Sequence, residues 1–176
     1  MKEDHLALET RRKIYELIAS SPGLHKREIS RKLNISLSTV DYHLHYMEKR
    51  NIVVAREDRR YRRYFIAEKT MPEDSRIISL LRQETPRKIL IFLLENPKAI
   101  HREICENIGK APSTVSFHIR KLVEAGILEE ISLGKEKGYN IKNKERIIDI
   151  LIMYRSTFLD RAVDKFLDAW ASFGKI

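Results

Sequence analysis

The segment SLSTVDYHLHYMEKR, residues 36–50, returns 75 residues later as APSTVSFHIRKLVEA, residues 111–125. Both copies carry Ser-Thr-Val and, three positions on, His: Ser38, Thr39, Val40 and His43, then Ser113, Thr114, Val115 and His118. At helical period Val40, Leu44 and Met47 form one apolar stripe, and Val115, Ile119 and Leu122 form its copy. The match is wider than these helices. Thr10/Thr85, Arg12/Arg87, Lys13/Lys88, Ile14/Ile89, Pro22/Pro97 and Arg27-Glu28-Ile29/Arg102-Glu103-Ile104 agree at the same offset, as do Ile52/Ile127, Tyr64/Tyr139 and Ile66/Ile141. With the Ser-Thr-Val and His pairs this makes 15 identities over 57 aligned positions. Chance gives roughly one match in fifteen to twenty, so the chain is an internal duplication and must fold as two copies of one small unit.

Each copy reads the same way. In the first, residues 5–20 predict a helix that Ser21-Pro22-Gly23 stops. Leu24 and His25 add a short strand, and residues 25–33 a second helix, with Asn34 as its C-cap and Ser36 as the N-cap of the next. Residues 52–55 and 61–67 predict two strands around a turn at 56–60. Helix, helix-turn-helix, then hairpin is the order of a winged helix. Residues 68–75 read as a polar linker and residues 77–81 as a short bridging helix. Thr85-Pro86 then reads as N-cap and N1 of the second copy, whose hairpin is read as 127–132 and 139–142. Residues 143–173 contain no Pro or Gly and carry two adjacent apolar stripes. They predict one helix on the order of 45 Å long.

The fold expected is therefore mainly α with small β-wings: two tandem winged helix-turn-helix domains, 5–67 and 76–142, joined by the linker and followed by the terminal helix. Its bulk at Phe158, Phe166, Leu167, Trp170 and Phe173 reads as a dimerisation surface, giving a homodimer; the competing reading is that the helix folds back between its own two winged helices and leaves a monomer.

With helix-turn-helix, wing and duplication placed, the Ser-Thr-Val-x-x-His-(Leu/Ile) core and the hairpin resemble the ArsR/MarR-like superfamily. The two-unit layout with a terminal helix is similar to its archaeal members. The resemblance implies a transcriptional regulator in which the second helix of each helix-turn-helix enters the major groove of double-stranded DNA and the hairpin lies along phosphates. Carried over, it points to Ser38, Thr39, Tyr42, His43 and His45, and to Ser113, Thr114, Phe117, His118 and Arg120. Lys49 extends the outer face of the first of these helices. Asp41 puts a carboxylate near that face, where it repels phosphate or accepts from a cytosine amino group.

Charge supports a polyanionic partner. The net charge is +9, from 34 basic and 25 acidic residues. It is uneven: residues 1–70 carry 16 basic and 10 acidic groups, and residues 71–142 carry 12 and 10. The first wing holds Arg56, Arg59, Arg60, Arg62 and Arg63, interleaved with Tyr61 and Tyr64 and offset only by Glu57 and Asp58. Such arginines are suited to phosphate contact. The second wing mixes Lys135 and Lys137 with Glu129, Glu130 and Glu136, so weaker contact is expected there.

Other chemistries lack a basis. One cysteine excludes an intrachain disulfide framework. His43 and His45 point to separate helix faces; His101 and Cys105 share a helix face at i, i+4, where two ligands are too few for a complete metal site and a metal or redox sensor is the minor alternative to a half-buried cysteine. There is no phosphate-binding Gly loop and no nucleophile elbow, so neither an enzyme nor a cofactor is expected. With no membrane-length apolar run and no apolar leader, the expectation is a cytoplasmic, nucleoid-associated protein. The rival from another class is a tandem winged-helix scaffold for protein partners in transcription or chromosome machinery, which the near-neutral second unit would suit.

Overall fold

The computed structural model describes residues 2–58, 61–158 and 160–172, with side chains from Ala7 onward. The chain is mainly α, with two small antiparallel sheets, and divides into two compact units, Met1–Ser79 and Leu80–Ile176.

Unit 1 runs α1 (Lys2–Ser20), β1 (Leu24–His25), α2 (Lys26–Leu33), α3 (Leu37–Lys49), β2 (Val53–Asp58) and β3 (Tyr61–Ile66). The expected stripe is the core. Ile14 and Ile18 of α1, Leu24, Ile29, then Val40, Leu44 and Met47 of α3 pack with Val53, Tyr64 and Ile66. Removing such side chains from water contributes roughly 1.5–3 kcal/mol each. The α3 cap is where the sequence puts it, whereas α2 begins one residue later than expected, with His25 as its cap. His25 Nδ1 accepts from the Glu28 N–H at 3.3 Å while Glu28 Oε2 accepts from the His25 N–H at 2.9 Å, a reciprocal capping box for α2. Ser36 Oγ accepts from the Thr39 N–H at 3.1 Å and starts α3.

The wing differs from expectation. Residues 56–58 are not turn but strand: Arg56, Glu57 and Asp58 pair with Arg63, Arg62 and Tyr61. The ladder, with Glu57 opposite Arg62 and Asp58 bridged diagonally to Arg63, outweighs the turn propensity of the polar run. β1 joins the far edge, giving the order β1-β3-β2 with His25 opposite Arg63. The linker is also shorter than expected, because Pro72 opens α4 (Pro72–Leu81), where its fixed φ suits the first helical position.

Unit 2 repeats the plan with α5 (Glu84–Glu95), α6 (His101–Ile108), α7 (Pro112–Glu124), β4 (Leu128–Leu133) and β5 (Glu136–Ile141). α5 begins one residue before Thr85, with Gln83 as N-cap. β4 and β5 run further than the sequence predicts, closing through Gly134, whose φ of 68° a turn needs. The third strand shrinks to one bridge between Ile100 and Gly138.

The duplication is visible in the backbone itself. Left-handed residues recur at one offset: Gly23 and Lys98 (φ 79° and 67°), Asn34 and Gly109 (52° and 65°), Asn51 and Gly126 (53° and 72°). In every pair one copy uses Gly and the other does not.

The single terminal helix is overturned. Residues 144–172 form α8 (Lys144–Met153), α9 (Arg155–Phe158) and α10 (Arg161–Ser172). Two contacts break the run. Arg87 Nε donates to Asp160 Oδ2 at 2.7 Å, and Asp160 Oδ1 accepts from the Ala162 N–H at 2.9 Å, so Asp160 caps a new helix. The bend lets α10 pack on α5 and α8. Phe158, Val163, Phe166 and Leu167 are consequently buried inside unit 2 together with Ile147, Ile148, Ile150 and Leu151. Phe158, Phe166 and Leu167 therefore do not form a free dimerisation face. Of the bulk expected there, Trp170 stays exposed, at 46%, stacked on Phe166 with centroids 6.1 Å apart. Phe173 lies outside the described residues.

Candidate nucleic-acid interface

α3 presents the outer face that its sequence implies. Val40, Leu44 and Met47 lock one side to the core, which leaves Ser38, Tyr42, His45 and Lys49 exposed on the other. Thr39 is half-buried. Its Oγ1 lies 2.7 Å from Ser36 Oγ, which is also 2.9 Å from Ser38 Oγ, so three hydroxyls gather at the positive end of the helix. Asp41 does not stand free on this face. Lys26 Nζ donates to its Oδ1 at 3.0 Å, which links α2 to α3 and offsets the carboxylate charge.

Two expected DNA ligands are placed differently. His43 is 3% exposed and its Nδ1 is buried without a hydrogen-bond partner, so it belongs to the packed side of α3. Burial, then the Arg11 charge, lowers its pKa and keeps it neutral. Arg63 is 6% exposed. Its Nη1 donates to the Gly23 carbonyl at 2.8 Å and its Nε to Asp58 Oδ2 at 3.3 Å. A guanidinium spent on a backbone carbonyl and a strand carboxylate braces the wing and is not available to a phosphate. Exposure along β3 changes between these neighbours: Tyr61 and Arg62 are exposed, and Arg63 to Ile66 are buried. Arg62 is exposed and donates to Glu48 Oε1 at 2.7 Å. Arg56 is exposed, with no ion pair among the described residues. Arg59 and Arg60 lie outside the described residues.

One cationic feature is absent from the sequence-based expectation. The guanidinium carbons of Arg11 and Arg50 lie 3.5 and 3.6 Å from the centroid of Tyr46. Tyr46 and Arg50 are one helical turn apart and are legible as a pair; Arg11 arrives from α1 and is not.

This geometry has known relatives. The winged helix-turn-helix DNA-binding family matches residues 82–129, and an N-terminal HTH domain family matches residues 8–77. The chain carries two helix-turn-helix domains in tandem. It is 32% identical over 140 residues to an uncharacterized HTH-type transcriptional regulator of Methanocaldococcus jannaschii, a match covering 80% of this chain. The chain spans about a third of the length of that curated relative, 34%. Among solved structures it is similar to ScpB from Mycobacterium tuberculosis at 12% identity and a TM-score of 0.32, covering 82% of this chain and 96% of that one.

The second helix-turn-helix domain repeats α3 as α7, with different chemistry. Ser113, Phe117 and Arg120 of α7 are exposed, and Thr114 and His118 are half-buried. His118 Nδ1 is buried without a partner like that of His43, and burial, then the charges of Lys121 and Lys110, lowers its pKa. The link between the two helices of the motif is kept in place but changed in kind. His101 Nε2 lies 2.8 Å from Ser116 Oγ, at the positions that match Lys26 and Asp41. The second wing nearly balances its own charge, with Glu129, Glu130 and Glu136 against Lys135 and Lys137; Lys137 Nζ donates to Glu130 Oε2 at 2.9 Å, and the neutral Asn140 amide donates to Glu129 Oε1 at 3.1 Å.

Cys105 Sγ sits 3.5 Å from His101 Nδ1, and burial, then the Glu106 charge, raises its pKa, so it stays a thiol at neutral pH. Among the described residues no three His, Cys, Asp or Glu side chains converge on a metal position, and no helix is long and apolar enough to cross a membrane.

Proposed function

We propose that this chain regulates transcription by binding duplex DNA in a sequence-dependent way, with α3 and α7 as the reading helices. The observation that carries this is the α3 face: hydroxyls at the helix N-terminus, then Tyr42, His45 and Lys49, on a helix whose other side is locked to the core. Short groups at the tip allow close approach to a major groove, and longer ones further along reach base edges or phosphates. The matched families and the regulator among the relatives agree with it. Phosphate contact falls mainly to unit 1, through Lys49, Arg56, Arg62 and the Arg11–Tyr46–Arg50 stack. Unit 2 adds Ser113, Thr114, Phe117 and Arg120 with little help from its wing. A regulator of this kind works in the cytoplasm, on the nucleoid.

The test is titration of the full chain against random-sequence duplex DNA at several salt concentrations. Affinity that falls linearly on a log–log plot as salt rises is the expected result, because each neutralised phosphate releases counterions. No binding at low salt overturns the proposal and favours a protein-binding scaffold.

A further inference from the structure

α3 and α7 carry an exposed aromatic ring at the same place. Tyr42 is 63% exposed and Phe117, 75 residues on, is 43% exposed. Each ring stands nearly perpendicular to the imidazole of the next residue: Tyr42 to His43 at 5.1 Å and 70°, Phe117 to His118 at 5.2 Å and 81°. Because His43 is buried and His118 half-buried, each imidazole is a fixed support that sets the attitude of the ring beside it.

The two copies differ by one hydroxyl. What both present is the ring, so a function shared by the two positions cannot depend on the phenol hydrogen bond. A large apolar group left in water on a polar helix face calls for an apolar partner, and here the partner's surroundings are constrained. Lys49 and His45 lie on the α3 face, and Arg120 and Lys121 lie on α7, with Lys121 Nζ 6.0 Å from the Phe117 ring. A ring on a basic helix face, with an ammonium beside it at Phe117, suits an apolar group embedded in a polyanion. In a DNA major groove that group is the thymine C5-methyl.

We infer that Tyr42 and Phe117 are matched thymine readers, each ring packing against the C5-methyl of a thymine in the major groove. The inference rests on the DNA reading above and adds the base that each helix selects. His43 and His118 are positioning residues behind the rings, which accounts for imidazoles kept at these positions in both copies with no hydrogen-bond partner on Nδ1.

The experiment uses the full chain and the duplex it enriches from a random-sequence library. Each thymine of that duplex is replaced singly by deoxyuridine, which removes the methyl and nothing else. Binding is expected to weaken about fourfold at each contacted thymine, the equivalent of ~0.8 kcal/mol for one buried carbon. Tyr42→Ala and Phe117→Ala should each abolish the deoxyuridine effect at one set of thymines, whereas Tyr42→Phe should preserve it. Both side chains are exposed, and thermal melting checks that the variants fold. A duplex that is enriched and bound with no sensitivity to deoxyuridine overturns the thymine assignment and leaves DNA binding standing. Sensitivity that survives in both alanine variants, or that Tyr42→Phe removes, overturns it in the same way. Failure to enrich any duplex at low salt overturns the DNA reading and this inference together.

Discussion

Arg87 Nε donates to Asp160 Oδ2 at 2.7 Å across 73 positions of sequence, and both side chains are nearly buried. Arg87 also donates from Nη1 to the Leu81 carbonyl at 2.7 Å. Burial raises the Asp160 carboxyl, but the Ala162 N–H and the Arg87 guanidinium outweigh it and hold the pKa below its ordinary value. Asp160→Ala leaves a guanidinium short of its counter-charge and is expected to cost unit 2 roughly 3–5 kcal/mol in denaturant melts. The sign with pH follows from the depressed carboxyl. Its contribution is full above the unfolded value near pH 4 and is lost as pH falls through the folded one. Wild-type and Asp160→Ala stabilities should therefore converge in strong acid.

His43 and His118 act in a different window. Both pKa values are lowered by burial, so the unfolded chain binds protons that the folded chain does not. Stability is full above the unfolded histidine value of about 6.5 and declines as pH falls below it. A His43→Leu, His118→Leu double variant should show a flatter melting profile between neutral pH and mild acid. An unchanged slope would assign the decline to other groups.

Tyr42→Ala combined with His45→Ala should relax sequence preference while the protein melts normally. Each base contact removed should cost about 1–3 kcal/mol on the preferred site and little on other DNA. Selection of the same motif at unchanged affinity would remove α3 as the reading helix.

The wing arginines should separate by type. Replacing Arg56 and Arg62 by Ala should weaken binding to all sequences and make the salt slope shallower by about 0.9 for each phosphate no longer neutralised. Arg63→Ala should instead lower stability, because Arg63 braces Gly23 and Asp58. Replacing Lys135 and Lys137 should change the salt slope less than replacing Arg56 and Arg62, as expected of a wing that neutralises itself.

The terminal helices leave a smaller apolar surface for self-association than the sequence suggests. Ile152, Met153 and Trp170 remain exposed on the terminal helices. If they join two copies, light scattering on the full chain should report a dimer, and Met153→Glu with Trp170→Glu should convert it to a monomer. A full-length monomer at tens of micromolar ends that proposal.

Most of the helix-turn-helix architecture is legible in the sequence because it is local. Caps at Ser36 and Asn34, the stripe Val40–Leu44–Met47 and the 75-residue echo are all short-range patterns or direct repeats. What is not legible depends on distant partners. Nothing in the run around Asp160 announces that Arg87 will bend it. An arginine-rich hairpin does not reveal by composition which arginine turns inward; the pairing register decides that Arg63 does and Arg62 does not. The Arg11 stack on Tyr46 is hidden for the same reason.

The paired left-handed residues have a practical meaning. Glycine at Gly23, Gly109 and Gly126 faces Lys98, Asn34 and Asn51 in the other copy, yet the chain turns into the same left-handed region at all three places. A backbone that outlasts the residues at its bends can exchange parts between its copies. A chimera that carries residues 98–126 in place of 23–51 would meet the same corners in the same order. A chimera of this kind that still melts cooperatively would show that the two copies share one backbone frame beneath different side chains.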